Sequence, residues 1–166
     1  MIGTPTLPRS DMDVPIEVRK RFHTTAAIDL VFDVVSDVPR SVSHYPDVAS
    51  LDDLGGGAYR WVLREMGAAG IRHQVSYGCR YVSDRAAGVV TWTPADGVGN
   101  GRITGRWHLT ADADGTRIDF SNTGTLSLPI PRMLRSVGVA FVRSTFNAQI
   151  ETYLANLMQT FEASNG

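Results

Sequence analysis

Residues 101–161 read GRITGRWHLTADADGTRIDFSNTGTLSLPIPRMLRSVGVAFVRSTFNAQIETYLANLMQTF, and their hydrophobic period changes once, from alternation to helical spacing. Before the change, Ile103, Gly105, Trp107 and Leu109 oppose Arg102, Thr104, Arg106 and His108. After Asp114-Gly115, the set Ile118, Phe120, Asn122 and Leu126 opposes Arg117, Asp119, Ser121 and Thr123. An Asp-Gly pair between two alternating runs predicts a β-hairpin, because both residues tolerate positive φ. Pro129-Ile130-Pro131 stops the sheet, and Pro131 is suited to open a helix, whose first turn leaves amides unpaired anyway. From there to about Phe161 the stripe Leu134, Val137, Phe141, Phe146, Ile150, Tyr153, Leu154, Leu157 and Phe161 predicts one long amphipathic helix. At about 1.5 Å per residue it is on the order of 45 Å long, enough to cross a whole sheet.

Upstream the alternation continues. Near 58–66, Tyr59, Trp61 and Leu63 alternate with Arg60 and Arg64; near 71–82, Val75, Tyr77, Cys79 and Tyr81 alternate with Gln74, Ser76 and Arg80. The odd positions form the inner face, and a turn over 67–70 joins the two strands as an antiparallel hairpin. A strand around 87–94 carries Val89, Val90 and Trp92, with its parity open. At the other end, a strand from Val14 sets Ile16, Val18 and Phe22 against Glu17, Arg19, Arg21 and His23. Lys20 breaks that pattern, although its long stem can carry the charge to the rim. Thr24 or Thr25 is placed to cap a helix with Ile28, Val31, Phe32 and Val35 on one side, ending near Asp37 and Pro39. A second short helix covers 40–44 and closes at Tyr45-Pro46. Residues 1–13, with Gly3, Pro5 and Pro8, read as a flexible tail, 14–163 as one domain, and 164–166 as a short C-terminal tail.

A chain of 166 residues supports one hydrophobic core. With 43% hydrophobic and 20% charged residues and a formal net charge of -1, it has the composition of an ordinary globular domain and no bias toward nucleic acid. No apolar run approaches the roughly 20 residues a bilayer span needs, and the first dozen lack a signal-peptide core, so a cytoplasmic location is expected. Cys79 is the single cysteine, which rules out an internal disulfide and cysteine-based zinc. Asp112, Asp114 and Gly115 form no calcium loop, because Thr123 stands where the closing Glu is required. The glycines at 97, 99 and 101 precede a strand, so no helix N-terminus is there to receive a phosphate. His23, His44, His73 and His108 lack ligand spacing, and neither a metal ion nor a cofactor is called for.

The order of these elements, together with VRKRFHTTAAIDLVFDVVSDVPRSVSHYPDV at 18–48 and GRWHLTADADGTRIDF at 105–120, resembles the START-like, or SRPBCC, superfamily. The first stretch is similar to the opening of its polyketide cyclase/dehydrase and lipid-transport families, and the second to their paired late strands. The Trp or Phe usual just after the Tyr-Pro turn is replaced by Asp47-Val48. The resemblance covers roughly 14–163. It implies an α+β helix-grip fold: a curved antiparallel sheet of about six or seven strands wrapped around the long C-terminal helix, with two short helices after the first strand. It also implies a cavity between sheet and helix, which in members of the superfamily holds lipids, polyketides, quinones, steroids or plant hormones; some members are enzymes.

On that basis the expected lining comes from Tyr59, Trp61, Val75, Tyr77, Ile103, Phe120 and Asn122 on the sheet and Leu134, Gly138, Phe141, Val142 and Thr145 on the helix. Ligand pockets of about 300–1,000 Å³ are typically apolar with a few placed polar groups, as here; solid packing of the same side chains is the competing expectation. Gly138 inside a helix calls for a reason, either space in the pocket, close packing or a bend. Asn122 needs a partner on the inner face: a ligand, a buried water, a backbone group or Tyr77. His73, opposite or diagonal to Glu65, forms with it and Tyr77 an acid-base candidate set, against a solvated ion pair at the strand ends. Three functions remain open: a non-catalytic carrier of an apolar lipid, polyketide or quinone-like molecule; a polyketide aromatase/cyclase or dehydratase; and a protein-interaction module. A homodimer is compatible with all three.

Overall fold

The computed structural model describes residues 11–68 and 71–164. The first strand, β1 (Met12–Thr24), starts two residues before Val14, because Met12 and Asp13 already pair with Leu128 and Ser127. Val14, Ile16 and Val18 are buried, whereas Lys20 sits at the rim, where its Nζ lies 3.2 Å from Glu151 Oε1. Helix α1 (Ile28–Ser36) buries Val31, Phe32, Val34 and Val35. Its N-cap is Ala27, with no side-chain cap; the Thr24 hydroxyl instead accepts from the amide of Ala26, still ahead of the helix. Helix α2 (Val38–Val42) begins two residues earlier than expected, because Asp37 accepts from the Arg40 amide and Pro39 fits the first turn.

Next come β2 (Val48–Gly55) and β3 (Ala58–Leu63). Residues 48–55 carry too polar an alternation to signal a strand, and they form the edge of the sheet, where only one side has to pair. The run expected at 71–82 is split. β4 (Met66–Ala68) and β5 (Ile71–His73) make a separate two-stranded flap, and β6 (Ser76–Asp84) returns to pair with β3. The intended turn residues 69 and 70 lie outside the described residues. β7 (Val89–Gly99), β8 (Gly101–Asp112) and β9 (Gly115–Leu128) complete the set. The seven-stranded order is β1-β9-β8-β7-β6-β3-β2, antiparallel apart from one parallel bridge between Tyr77 and Gly101. That bridge forms where Asn100 clamps the sheet: its side chain accepts from the Ser76 amide and donates to the Gln74 carbonyl, and its carbonyl accepts from the Ser127 amide.

A 3-10 turn (Arg132–Leu134) leads into α3 (Arg135–Ala163), which lies against the concave face of the sheet. This is the α+β helix-grip architecture, with two short helices after the first strand. The helix buries Val142, Phe146, Ile150, Tyr153, Leu157 and Phe161. Its far half is tied to α2 by polar contacts: Ser41 Oγ with the Tyr153 hydroxyl, Asn156 Nδ2 donating to the His44 carbonyl, and His44 Nε2 against Thr160 Oγ1. Its near half is tied to β1 by Arg143 Nε donating to the Pro15 carbonyl. The inner parity read from β8 and β9 holds throughout: Ile103, Trp107, Leu109, Ile118, Phe120 and Leu126 are all buried. In β7 the open parity resolves to Val90 and Trp92 inward.

Gly105 shares that inner face for a steric reason. A Cβ built on it would fall 2.2 Å from the Trp92 ring, so the indole occupies the space a side chain would need. Gly105→Ala is therefore expected to lower stability in urea unfolding by about 1–3 kcal/mol, the range of core overpacking, with a changed tryptophan emission. Wild-type stability in that variant would contradict the packing described.

Candidate functional site

The concave face is dominated by rings. Trp61 stacks on Tyr77 at 5.5 Å between centroids, and Tyr45 meets Trp61 edge-on at 5.3 Å. Tyr81 lies 5.8 Å from Trp92, Trp92 lies 6.0 Å from Phe120, and Trp107 lies 4.6 Å from Phe120. From the helix, Tyr153 closes the circuit, 5.2 Å from Tyr45 and 6.1 Å from Trp107. These separations are those of favourable ring pairs. The polar edges of the rings are matched within the layer. Trp92 Nε1 donates to Asn122 Oδ1 at 3.0 Å, and Trp61 Nε1 donates to the Tyr81 hydroxyl at 2.9 Å. Asn122 thus has a protein partner, an indole, which was not among those expected for it.

Among these side chains a gap of about 30 Å³ remains, lined by Tyr45, Trp61, Tyr77, Tyr81, Trp92, Ile103, Phe120, Asn122, Ile150 and Tyr153. That is room for water-sized occupants and an order of magnitude below the usual ligand pocket. The expectation of a wide preformed cavity is corrected: in this conformation the rings fill the hollow. Outside it lies an open groove of about 450 Å³ bounded by Pro39, Val42, Ser43, Tyr45, Val48, Leu51, Asp53 and Tyr59. Tyr45 belongs to both linings. Its hydroxyl donates to Gln149 Oε1 at a long 3.3 Å, and Gln149 Nε2 in turn reaches Met66 Sδ on the flap at 3.6 Å.

Of the expected lining, Trp61, Tyr77, Ile103, Phe120 and Asn122 border the gap, whereas Tyr59 borders the outer groove and packs on Tyr81. Val75 and Val142 are buried in the core away from the gap, and Thr145 is half-buried. Leu134 is 36% exposed, and Phe141 is half-buried against the His73 ring. The reason is where the helix crosses: Ile150 and Tyr153, further along it, border the gap. Gly138 makes no space in a pocket, since a Cβ there would lie 2.7 Å from Ile130 Cγ2; close packing explains it. Tyr45, Tyr81, Trp92, Ile150 and Tyr153 were missed, although Tyr81 had inner parity and Ile150 and Tyr153 lay on the apolar stripe.

The His73–Glu65 pair does not form. His73 registers against Met66 and is buried, while Glu65 is exposed with Arg72 Nη1 3.7 Å away. Neither borders the gap that Tyr77 lines. Burial holds the His73 pKa below the ordinary imidazole value. It also pushes the phenols of Tyr45, Tyr77, Tyr81 and Tyr153 upward, so near neutral pH they are hydrogen-bonding groups and not bases. The Cys79 thiol, pushed up to about 12 by burial, is an inert core group. For His73 the unfolded chain binds the proton more readily, so its neutral form favours folding above the unfolded pKa of about 6.5, and that contribution is lost as pH falls. Unfolding midpoints at pH 7.5 and 5.5 should therefore differ less in His73→Gln than in the wild type; equal pH dependence would contradict the burial of the ring.

Known proteins agree with this geometry. A crystal structure from Thermus thermophilus is similar over 90% of this chain and 99% of its own, at 21% identity and a TM-score of 0.67. A START superfamily protein from Mycobacterium smegmatis matches 87% of this chain and 96% of its own, at 12% identity and a TM-score of 0.63. The Zhui aromatase/cyclase from Streptomyces sp. R1128 matches 87% and 90%, at 17% identity and a TM-score of 0.53. At such identities the likeness is one of fold. No curated protein matches the chain by sequence. The sequence pattern described as polyketide cyclase / dehydrase and lipid transport covers residues 15–162, and this makes the chain a member of that family.

Proposed function

We propose that the chain binds an apolar, ring-bearing small molecule inside its aromatic layer, reached from the outer groove by displacement of Tyr45. The observation that carries this is the position of Tyr45 on both linings: one side chain separates a groove of about 450 Å³ from the interior gap. Its only side-chain hydrogen bond among the described residues is the long one to Gln149, so moving it breaks that bond and its ring contacts to Trp61 and Tyr153. The neighbouring Asp47 is held at φ 61, a conformation uncommon outside glycine, and terminates the Tyr-Pro turn that carries the ring. Behind Tyr45, stacked rings offer flat faces and Asn122 offers an amide, a surface that suits a planar conjugated molecule better than a flexible acyl chain.

The family description supports small-molecule binding, either as transport or as cyclase chemistry. The lining of the gap favours binding. It holds phenols, indoles, an amide and apolar groups, with neither a carboxylate nor an imidazole to take a proton.

1,4-Naphthoquinone is a suitable probe, because it quenches tryptophan and Trp61 and Trp92 border the gap. Saturable quenching is expected for the wild type. Tyr45→Phe, which keeps the ring and removes the bond to Gln149, should speed association by about 2- to 10-fold, the worth of one ordinary hydrogen bond. Absence of saturable quenching, or an association rate unaffected by Tyr45→Phe, would count against the proposal.

A further inference from the structure

The start of α3 carries a second apolar surface that the ligand site does not use. The inward face of the helix runs through Gly138, Val142 and Phe146. Met133, Leu134 and Val137 lie on a different side: Met133 is 96% exposed, Val137 67% and Leu134 36%. Val137 precedes buried Gly138 by one residue, about 100° around a helix of 3.6 residues per turn. The stripe read from the sequence therefore divides here into one face against the sheet and one facing solvent.

Charge around this patch has one sign. Arg132, Arg135 and Arg143 are exposed, and the sequence holds no Asp or Glu between Asp119 and Glu151, although the whole chain carries a formal net charge of -1. Among the described residues none of the three arginines has an acidic partner. Two of them sit at the start of α3, whose dipole disfavours cations. Arg143 is held on the Pro15 carbonyl; for Arg132 and Arg135 no side-chain bond among the described residues offsets the dipole, and an external anion would. Three protruding apolar side chains are too few for a specific protein interface of about 800 Å² per partner. They suffice for shallow insertion at a headgroup layer, where arginines meet lipid phosphates.

We propose that Met133, Leu134 and Val137, flanked by Arg132 and Arg135, dock this end of α3 on an anionic lipid bilayer as a peripheral contact. No helix among the described residues is long and apolar enough to cross a membrane. The proposal does not depend on what the interior binds, and its test uses no interior ligand.

The full chain would be co-sedimented with vesicles of phosphatidylcholine alone and of phosphatidylcholine with about 30–40% phosphatidylglycerol, an anionic content that gives a strong surface potential. Binding should be at least about tenfold stronger to the anionic vesicles and should fall with added salt. Met133→Asp/Val137→Asp should abolish it, and Arg132→Gln/Arg135→Gln should weaken it by about fivefold per arginine. Arg106→Glu/Arg117→Glu, on the outer face of the sheet, tests a generally basic surface and should retain at least half of the binding. Circular dichroism melts confirm that each variant is folded; all the substituted side chains are exposed. Equal binding to both vesicle types, no binding by the wild type, or a loss in the outer-face variant matching that in the helix variants would overturn the proposal.

Discussion

The packing of large aromatic rings between a bent sheet and one helix is the constraint on which the rest of this structure depends. Tyr45, Trp61, Tyr77, Tyr81, Trp92, Trp107, Phe120 and Tyr153 come from the turn after α2, from five strands and from α3, and they meet in one layer. Rings of this size bury much apolar area, but each indole or phenol brings a polar edge that is costly to strand. The sequence supplies partners at matching positions: Asn122 for Trp92, Tyr81 for Trp61, Ser41 for Tyr153 and Gln149 for Tyr45. Gly105 completes the arrangement by omitting a side chain where the Trp92 ring must lie.

The same layer explains why the hollow of a ligand-binding fold is nearly closed here. In a helix-grip domain the space under the helix has to be filled by something, and in this conformation the side chains of the protein fill it. Binding in such an interior is an exchange of ring contacts with the protein for ring contacts with a guest, so its cost lies in displacing rings rather than in emptying water from a void. Tyr45 lines the groove as well as the gap, and its hydroxyl is held by the long bond to Gln149. Tyr153 is held more firmly, on a helix fixed at both halves by bonds to β1 and to the α2 turn.

Much of the fold is legible in the sequence because a half-buried strand obeys strict alternation. Ile103 through Leu109 and Ile118 through Leu126 declare their inner face, and Gly115, at φ 142, makes the hairpin that sets their register. Residues 48–55 escaped notice because an edge strand needs no continuous apolar side. Helical spacing identified the inward residues of α3 but not where along its length it crosses the gap, nor that its first turns carry two apolar faces. Ile150 and Tyr153 were therefore seen as stripe and not as lining, while Leu134 was assigned to a lining it does not reach and Val137 to a stripe that in fact divides. His73 and Glu65 illustrate how sensitive a site is to register: one residue of offset sets Met66 against the imidazole and leaves the carboxylate to Arg72. Tyr45 and Gln149 were illegible for another reason, since a turn residue and a polar helix residue reveal burial only once the elements around them are placed.

The most direct measurement of the central claim is a crystal structure of the protein soaked with 1,4-naphthoquinone. The account predicts the quinone within the ring layer between Trp61 and Tyr153, with the Tyr45 side chain rotated into the groove. Tyr45 unmoved, with the quinone absent from the interior or bound only on the surface, would contradict it.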